Sequence, residues 1–494
     1  MSESLAGLRR RFNPQDQILL DQLSATTAQL ARLVLSGPED MNLDEHRESI
    51  KALEKQKEKI EEEISRSSKG SYERPKPLSL ETVRSVISDN AALVELTVYH
   101  PFDPNAAGGK AYGSPRYVAY IIRHQGEVQS QDLGSASEID ELVGALRKGL
   151  LDPSRKDVRQ LLRTVDEKVM EPVRALVGDS TQLLISPDGA LNLVPFAALV
   201  DEQNRYLIEN YSIVYLTSGR DLLRMQVSRD DRSRPLVVAN PSFGEPVTDK
   251  RTSMSKSQMR RRSVIAARSL TDVYFAPLGG TMQEARSIQT LFPKVGLLTE
   301  AQATEVALKR VAAPGILHIA THGFFLQDEK PPQAISSEVL TRGIKVNSKI
   351  ENPLLRSGLA LAGANLRPTQ SEDGLLTALE ASGLDLWGTK LVVLSACDTG
   401  VGEVRNGEGV YGLRRAFSLA GAESLVMSLW PISDYATRKL MGEYYKNLKL
   451  GLGRGEALRQ VQLTMLKQSG NLHPFYWANF IQAGDWTPLE KSVE

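Results

Sequence analysis

From residue 92 onward the chain carries short apolar runs of β-type composition, and several are continuous, such as Leu236-Val-Val-Ala239 and Leu391-Val-Val-Leu394. A strand with one wet face alternates polar and apolar side chains. A continuous run is what a strand needs when both of its faces are covered, as in a parallel sheet. The runs predict strands at 92–99, 116–122, 182–186, 213–216, 236–239, 316–320, 391–394 and 424–429. Helical periodicity fills the intervals, at 135–147, 157–176, 282–292, 305–311, 374–381, 410–420, 435–448 and 456–467. Strands alternating with helices of this length predict an α/β sandwich. In such folds the reactive groups lie beyond the carboxyl ends of the strands.

Residues 14–37 and 43–69 read instead as two helices. Leu43, His46, Ile50, Leu53, Lys57, Ile60 and Ile64 form a 3-4 seam in the second. Two of these positions are polar, which favours a helical hairpin over a long dimeric coiled coil. The Ser- and Pro-containing stretch 65–77 reads as a linker. Two segments interrupt the α/β pattern. Asp249–Ser269 is strongly basic and reads as a long surface loop, with self-cleavage at its arginines one option. Gln327–Asn352 reads as a polar insertion after the 316–320 strand.

Composition narrows the functional classes. The 60 basic and 60 acidic residues cancel, so no whole-molecule field draws the chain to polyanions. The basic loop has no aromatic residue for base stacking, so direct nucleic-acid binding is not expected. A single cysteine excludes an intramolecular disulfide and a multi-cysteine zinc site. No apolar h-region opens the chain, and no run approaches the roughly 18 apolar residues of a membrane helix. A cytoplasmic, reducing location without membrane contact is therefore expected, and with it a free thiol. No cofactor is expected.

That thiol, Cys397, closes Leu391-Val-Val-Leu-Ser-Ala-Cys-Asp-Thr-Gly400, and His322 closes Gly315-Ile-Leu-His-Ile-Ala-Thr-His-Gly323. Each sits just past a strand, in a run that reaches a glycine. A buried filler role for Cys397 is the plain alternative, but small flanking residues and a histidine in the same setting favour a Cys–His dyad. His322 would activate the thiol and then protonate the leaving amine. The amides of Gly323 and Cys397 are the natural oxyanion donors. A backbone carbonyl is enough to orient the imidazole.

His318 and His322 also make an H-x-x-x-H pair, but on a β-type run with no adjacent glutamate base, so no metal is expected. His318 reads as a satisfied histidine behind the site. Asp398, Glu403 and Glu408 read in two ways: acids of an S1 pocket for Lys or Arg, or loop carboxylates and helix caps before Val410. The glycine-rich run 400–409 lacks the Lys-Ser/Thr of a phosphate loop.

Further ordered motifs accompany these two: Gly407-Glu-Gly-Val-Tyr-Gly-Leu-Arg-Arg-Ala-Phe417, Ala420-Gly-Ala-Glu-Ser-Leu-Val-Met-Ser-Leu-Trp430, His473-Pro-Phe-Tyr-Trp-Ala-Asn-Phe480, Leu184-Ile-Ser-Pro-Asp-Gly-Ala-Leu-Asn-Leu-Val-Pro-Phe196 and Asn240-Pro-Ser-Phe243. Together they resemble the CHAT family of caspase-like and separase-like cysteine peptidases, over 80–487. The resemblance implies a caspase-like three-layer α/β/α sandwich with a mostly parallel sheet, after an N-terminal helical hairpin. It implies a peptidase-like but non-catalytic part at 80–230 and a catalytic part at 231–487, with His322 and Cys397 as the dyad. It implies a specific protein substrate and control by an activating protein or upstream sensor. Members typically carry tetratricopeptide repeats ahead of this domain. Residues 1–75 are too few for a repeat superhelix and resemble the connector that follows one, which makes the N-terminal helices the expected contact for a regulator. The alternative function is a non-catalytic signalling or scaffold module that keeps the fold.

Overall fold

The structure, a computed structural model, describes residues 13–37, 42–68, 79–105, 111–227, 229–245, 274–325, 352–366, 372–395, 404–405, 409–410, 412–430, 434–468 and 473–489. Its strands are β1 (Ala91–Tyr99), β2 (Arg116–Arg123), β3 (Gln129–Ser135), β4 (Gln182–Ser186), β5 (Ser212–Tyr215), β6 (Leu236–Pro241), β7 (Gly296–Glu300) and β8 (Ile316–Ala320). They continue as β9 (Gly323–Phe325), β10 (Ser357–Ala360), β11 (Leu375–Thr377), β12 (Leu391–Leu394), β13 (Val404–Arg405), β14 (Gly409–Val410), β15 (Ser424–Ser428) and β16 (Phe480–Gly484). The long helices are α1 (Pro14–Ser36), α2 (Leu43–Ser68), α3 (Ala136–Leu150), α4 (Val158–Val177), α5 (Gly279–Leu291), α6 (Leu413–Ala420), α7 (Asp434–Lys449) and α8 (Arg454–Gln468).

Eleven strands form one sheet in the order β3-β2-β1-β4-β5-β16-β15-β12-β8-β6-β7. The β3–β2, β2–β1 and β16–β15 joins are antiparallel, and the others are parallel. The mostly parallel sheet, preceded by helices, is the expected α/β architecture. In its second half the chain starts in the interior at β6, steps outward to β7, then returns past β6 to lay down β8, β12 and β15. The winding reverses between β6 and β8, and beyond the carboxyl ends of strands at such a reversal a crevice opens.

Continuous apolar runs have the predicted cause. Ala92, Val94 and Leu96 of β1 pack with Ile139 and Val143 of α3 and Leu162 and Val165 of α4. Ala91 and Leu93 of the same strand pack with Val83, Ile87 and Leu222 on the opposite face. All four residues of β12 are fully buried. Burying such a side chain stabilises by about 1.5–3 kcal/mol, so a charge at Val393 would break the sheet beside the site.

The bounds of β4, β8 and β12 coincide with the predicted 182–186, 316–320 and 391–394. The segment 374–381, expected as helix, starts as β11 and turns helical at Ala378. Thr377 explains the change: its side chain accepts from the Glu380 N–H while the Glu380 carboxylate accepts from the Thr377 N–H, and this reciprocal cap fixes where the helix begins. Likewise α6 starts at Leu413 rather than 410, because Gly412 sits at φ 143°, outside helical space.

The hairpin of α1 and α2 closes over Leu20, Ile60 and Ile64. Its two polar seam positions are both engaged: His46 Nε2 lies 2.8 Å from the Leu33 carbonyl, and Lys57 pairs with Glu61 at 2.6 Å. Leu35, near the end of α1, reaches a cluster with Phe243, Phe275 and Phe324. Among the described residues no helix is long and apolar enough to cross a membrane. The basic loop 249–269, residues 327–351 of the insertion and residues 69–77 of the linker lie outside the described residues.

Candidate active site

Strands β8 and β12 lie side by side and parallel, with Leu391 opposite Ile316 and Leu394 opposite Ile319. Past β12 the pairing continues for one more bond, from the Ser395 N–H to the Ile319 carbonyl at 2.9 Å. His322 therefore emerges two residues beyond β8 on the same edge from which the chain proceeds through Ser395 toward Cys397. Cys397, Asp398, Glu403 and Glu408 lie outside the described residues. In sequence Glu403 immediately precedes β13 and Glu408 immediately precedes β14, which pair Val404 with Val410 and Arg405 with Gly409.

The His322 ring is held from three sides. Its Nε2 lies 2.8 Å from the carbonyl oxygen of Ala276. A carbonyl can only accept, so Nε2 carries the hydrogen and the neutral ring keeps its basic lone pair on Nδ1. Phe243 and Phe275 lie against the imidazole with centroids 5.3 and 5.8 Å away, tilted by 46° and 40°. The orienting carbonyl is itself fixed through its neighbour. Asn365 Oδ1 accepts from the Phe275 N–H at 3.0 Å, and Asn365 Nδ2 donates to the carbonyls of Phe275 and Gly244, both at 2.9 Å.

Gly323 opens β9, the edge of a three-stranded sheet ordered β11-β10-β9. Opposed residues of an antiparallel ladder alternate between hydrogen-bonded and non-bonded pairs. Ala360 N–H donates to the His322 carbonyl at 2.9 Å, so the next pair, Gly323 with Leu359, is of the non-bonded kind. The Gly323 N–H is thus turned away from β10, toward the outer edge beside His322, as an oxyanion donor requires.

His318, four residues earlier and within β8, is fully buried. Its Nδ1 is 3.0 Å from the Tyr445 hydroxyl and its Nε2 is 3.1 Å from Glu284 Oε1. Nδ1 has the hydrogen-bond partner expected of a histidine behind the site, whereas Nε2 meets Glu284 at ion-pair distance without hydrogen-bond geometry. A separate carboxylate group, Asp166, Glu171 and Glu202, is close enough to hold an ion, but Arg163 and Arg174 already bridge it.

The sequence singles out His322 and Gly323 as candidates and leaves open which carbonyl orients the ring. Ala276, Asn365 and the Phe275 ring carry no motif that would have marked them. Phe243 was visible as the end of Asn240-Pro-Ser-Phe243, without a role.

Residues 159–485 match the CHAT domain family. Tetratricopeptide repeat protein 28 of Homo sapiens is 25% identical over 321 residues, covering 62% of this chain and 12% of that protein. Its Mus musculus counterpart is 24% identical over 380 residues, covering 69% and 14%. The chain therefore spans about one-eighth of the curated relatives' length. Among solved structures, the Saccharomyces cerevisiae separase–securin complex has a TM-score of 0.42 at 10% identity, covering 82% of this chain and 30% of that one. The Arg-specific cysteine proteinase gingipain R gives 0.37 at 10% identity, covering 72% and 75%. With the match running over 159–485 of 494 residues, the chain belongs to the CHAT domain family.

Proposed function

We propose that this chain is a cysteine endopeptidase in which Cys397 is the nucleophile and His322 its base. The observation that carries the reading is the His322 imidazole. It is fixed by the Ala276 carbonyl with its basic nitrogen directed elsewhere, beside an outward Gly323 N–H, at the strand edge from which the chain runs to Cys397. A free thiol titrates near ~8.5 and is largely protonated at neutral pH, so a neighbouring base decides its reactivity. In the first step the thiolate attacks the scissile carbonyl. The oxyanion is held by the amides of Gly323 and Cys397, and His322 passes the proton to the leaving amine. Water then attacks the thioester, His322 takes its proton, and the C–S bond breaks to release the new carboxyl terminus and the Cys397 thiolate.

In this reading the substrate is a protein, and activity is controlled by a partner that contacts α1 and α2. The location is the cytoplasm. Asp398, Glu403 and Glu408 supply a preference for Lys or Arg at P1. A peptide library read out by mass spectrometry tests the activity and the P1 preference together. Cys397→Ala and His322→Ala should each abolish cleavage with unchanged unfolding midpoints. Wild-type turnover in either variant would refute the dyad, and a strict apolar P1 would refute the acidic pocket.

A further inference from the structure

Beneath the site runs a chain of four buried polar side chains that the dyad does not use. Ser395 is 7% exposed, Glu284 3%, and His318 and Tyr445 0%. Ser395 Oγ donates to Glu284 Oε2 at 3.3 Å, Glu284 Oε1 lies 3.1 Å from His318 Nε2, and His318 Nδ1 lies 3.0 Å from the Tyr445 hydroxyl. A carboxylate taken out of water is costly unless it is hydrogen-bonded or paired. Leucine would fill the Glu284 position on α5 without that cost, so packing alone gives no reason for an acid there.

The geometry does give one. Ser395 is the last described residue after β12, two positions before Cys397. Its main chain is held by Ile319 of the histidine strand, and its side chain by Glu284. Glu284 in turn touches His318, four residues before His322 on the chain that carries the base. The segment that supplies Glu284 also supplies the other constraint: Phe275 and Ala276, just ahead of α5, stack on and hydrogen-bond the His322 ring. One continuous stretch, 274–291, thus grips both the imidazole and the root of the nucleophile strand.

We propose that Glu284 is a positioning residue for the Cys397–His322 pair, acting through Ser395 to set where the nucleophile strand ends relative to the imidazole. The role rests on the peptidase reading given above. Glu284 itself touches neither substrate nor reacting atom. A polar tether suits it because a hydrogen bond fixes direction as well as distance, whereas apolar contact fixes neither tightly.

Cys397 is the chain's single cysteine, so iodoacetamide alkylation of the intact protein reports on that thiol alone. The alkylation rate is measured from pH 5 to 10 for the wild type, His322→Ala, Glu284→Ala, Glu284→Gln and Ser395→Ala. The wild type should show a thiol midpoint below the free value that His322→Ala moves up toward ~8.5. Glu284→Ala and Ser395→Ala should move it in the same direction and slow alkylation at pH 7 by about tenfold, the thiolate loss being partly offset by higher intrinsic nucleophilicity. Glu284→Gln keeps an acceptor for Ser395 and should keep the wild-type profile. Unfolding midpoints identify any variant that merely fails to fold, and Ser395→Ala, which removes one hydroxyl, guards against that outcome for Glu284→Ala. A wild-type profile in both Glu284→Ala and Ser395→Ala overturns the positioning role and leaves the dyad standing. A wild-type profile identical to that of His322→Ala overturns the dyad, and the positioning role with it.

Discussion

Replacing Asn365 by Leu separates the polar clamp behind His322 from the packing around it, since the two side chains have the same number and branching of heavy atoms. The Asn365 side chain is 7% exposed and makes three hydrogen bonds to main chain: from the Phe275 N–H, and to the carbonyls of Phe275 and Gly244. Each such bond contributes about 1 kcal/mol net, and a buried group left without a partner costs about 1–3 kcal/mol. Losing all three costs about 3–5 kcal/mol, of which the added apolar contact of Leu offsets about 1 kcal/mol. The expected net loss is about 3 kcal/mol, large against the total stability of a typical domain.

Urea unfolding followed through the buried Trp430 and Trp477 reads this directly. The functional consequence is read at the thiol. With the 275–276 main chain released, the carbonyl that fixes His322 is no longer held, so Cys397 alkylation at neutral pH should slow in the folded protein. A change below about 0.5 kcal/mol would show that the clamp contributes no stability, because a surface substitution does as much. An unaltered alkylation profile at full destabilisation would show that His322 is oriented without it.

Two further predictions concern the surroundings. Glu305 is 2% exposed and lies 2.5 Å from Lys309, and its carboxyl is pushed from 4.5 up to about 9 by burial and by Glu380, against the opposing ammonium. A folded-state value above the unfolded one means the folded protein holds that proton more tightly. The contribution is full below about 4.5 and is lost as pH rises toward about 9. Glu305→Gln should therefore flatten the pH dependence and raise the thermal midpoint at pH 8.5 relative to wild type, and parallel stability curves for the two proteins would refute the assignment. Gly358→Ala would place a methyl 2.5 Å from both the Leu376 carbonyl and the Phe324 ring. It should cost about 1–3 kcal/mol and displace β9, slowing thiol alkylation; a normal unfolding midpoint would show that the sheet yields freely there.

The interior strands were legible in the sequence because burial on both faces leaves a continuous apolar run, as in β4, β8 and β12. The missed strands lack that signature for different reasons. β3, Gln-Ser-Gln-Asp-Leu-Gly-Ser, sits at the sheet edge with Leu133 its one buried residue, so little selects apolar residues there. β16, Phe-Ile-Gln-Ala-Gly, hides a buried glutamine: Gln482 spends its amide on the carbonyls of Ala483, Gly484 and Asp485. At the candidate site, the sequence marks His322 by its residue type and Gly323 by the side chain it lacks. Ala276 contributes a carbonyl that any residue possesses, and Asn365 acts from 43 positions away through main-chain groups. Such contributions belong to the folded chain's geometry and leave no local pattern.

The place of β16 in the sheet bears on how the molecule comes to be assembled. It stands at the centre, parallel to β5 on one side and antiparallel to β15 on the other, yet it is the last of the described strands in chain order. On a ribosome, β1 to β5 emerge and pair long before residue 480 exists, and the same holds for β6 to β15. Each group of strands must then wait with an unpaired interior edge, a template for mispairing with another chain. The keystone is set after the arch has been built from both ends, so a nascent chain stalled short of residue 480 should be the aggregation-prone species, however sound its individual strands.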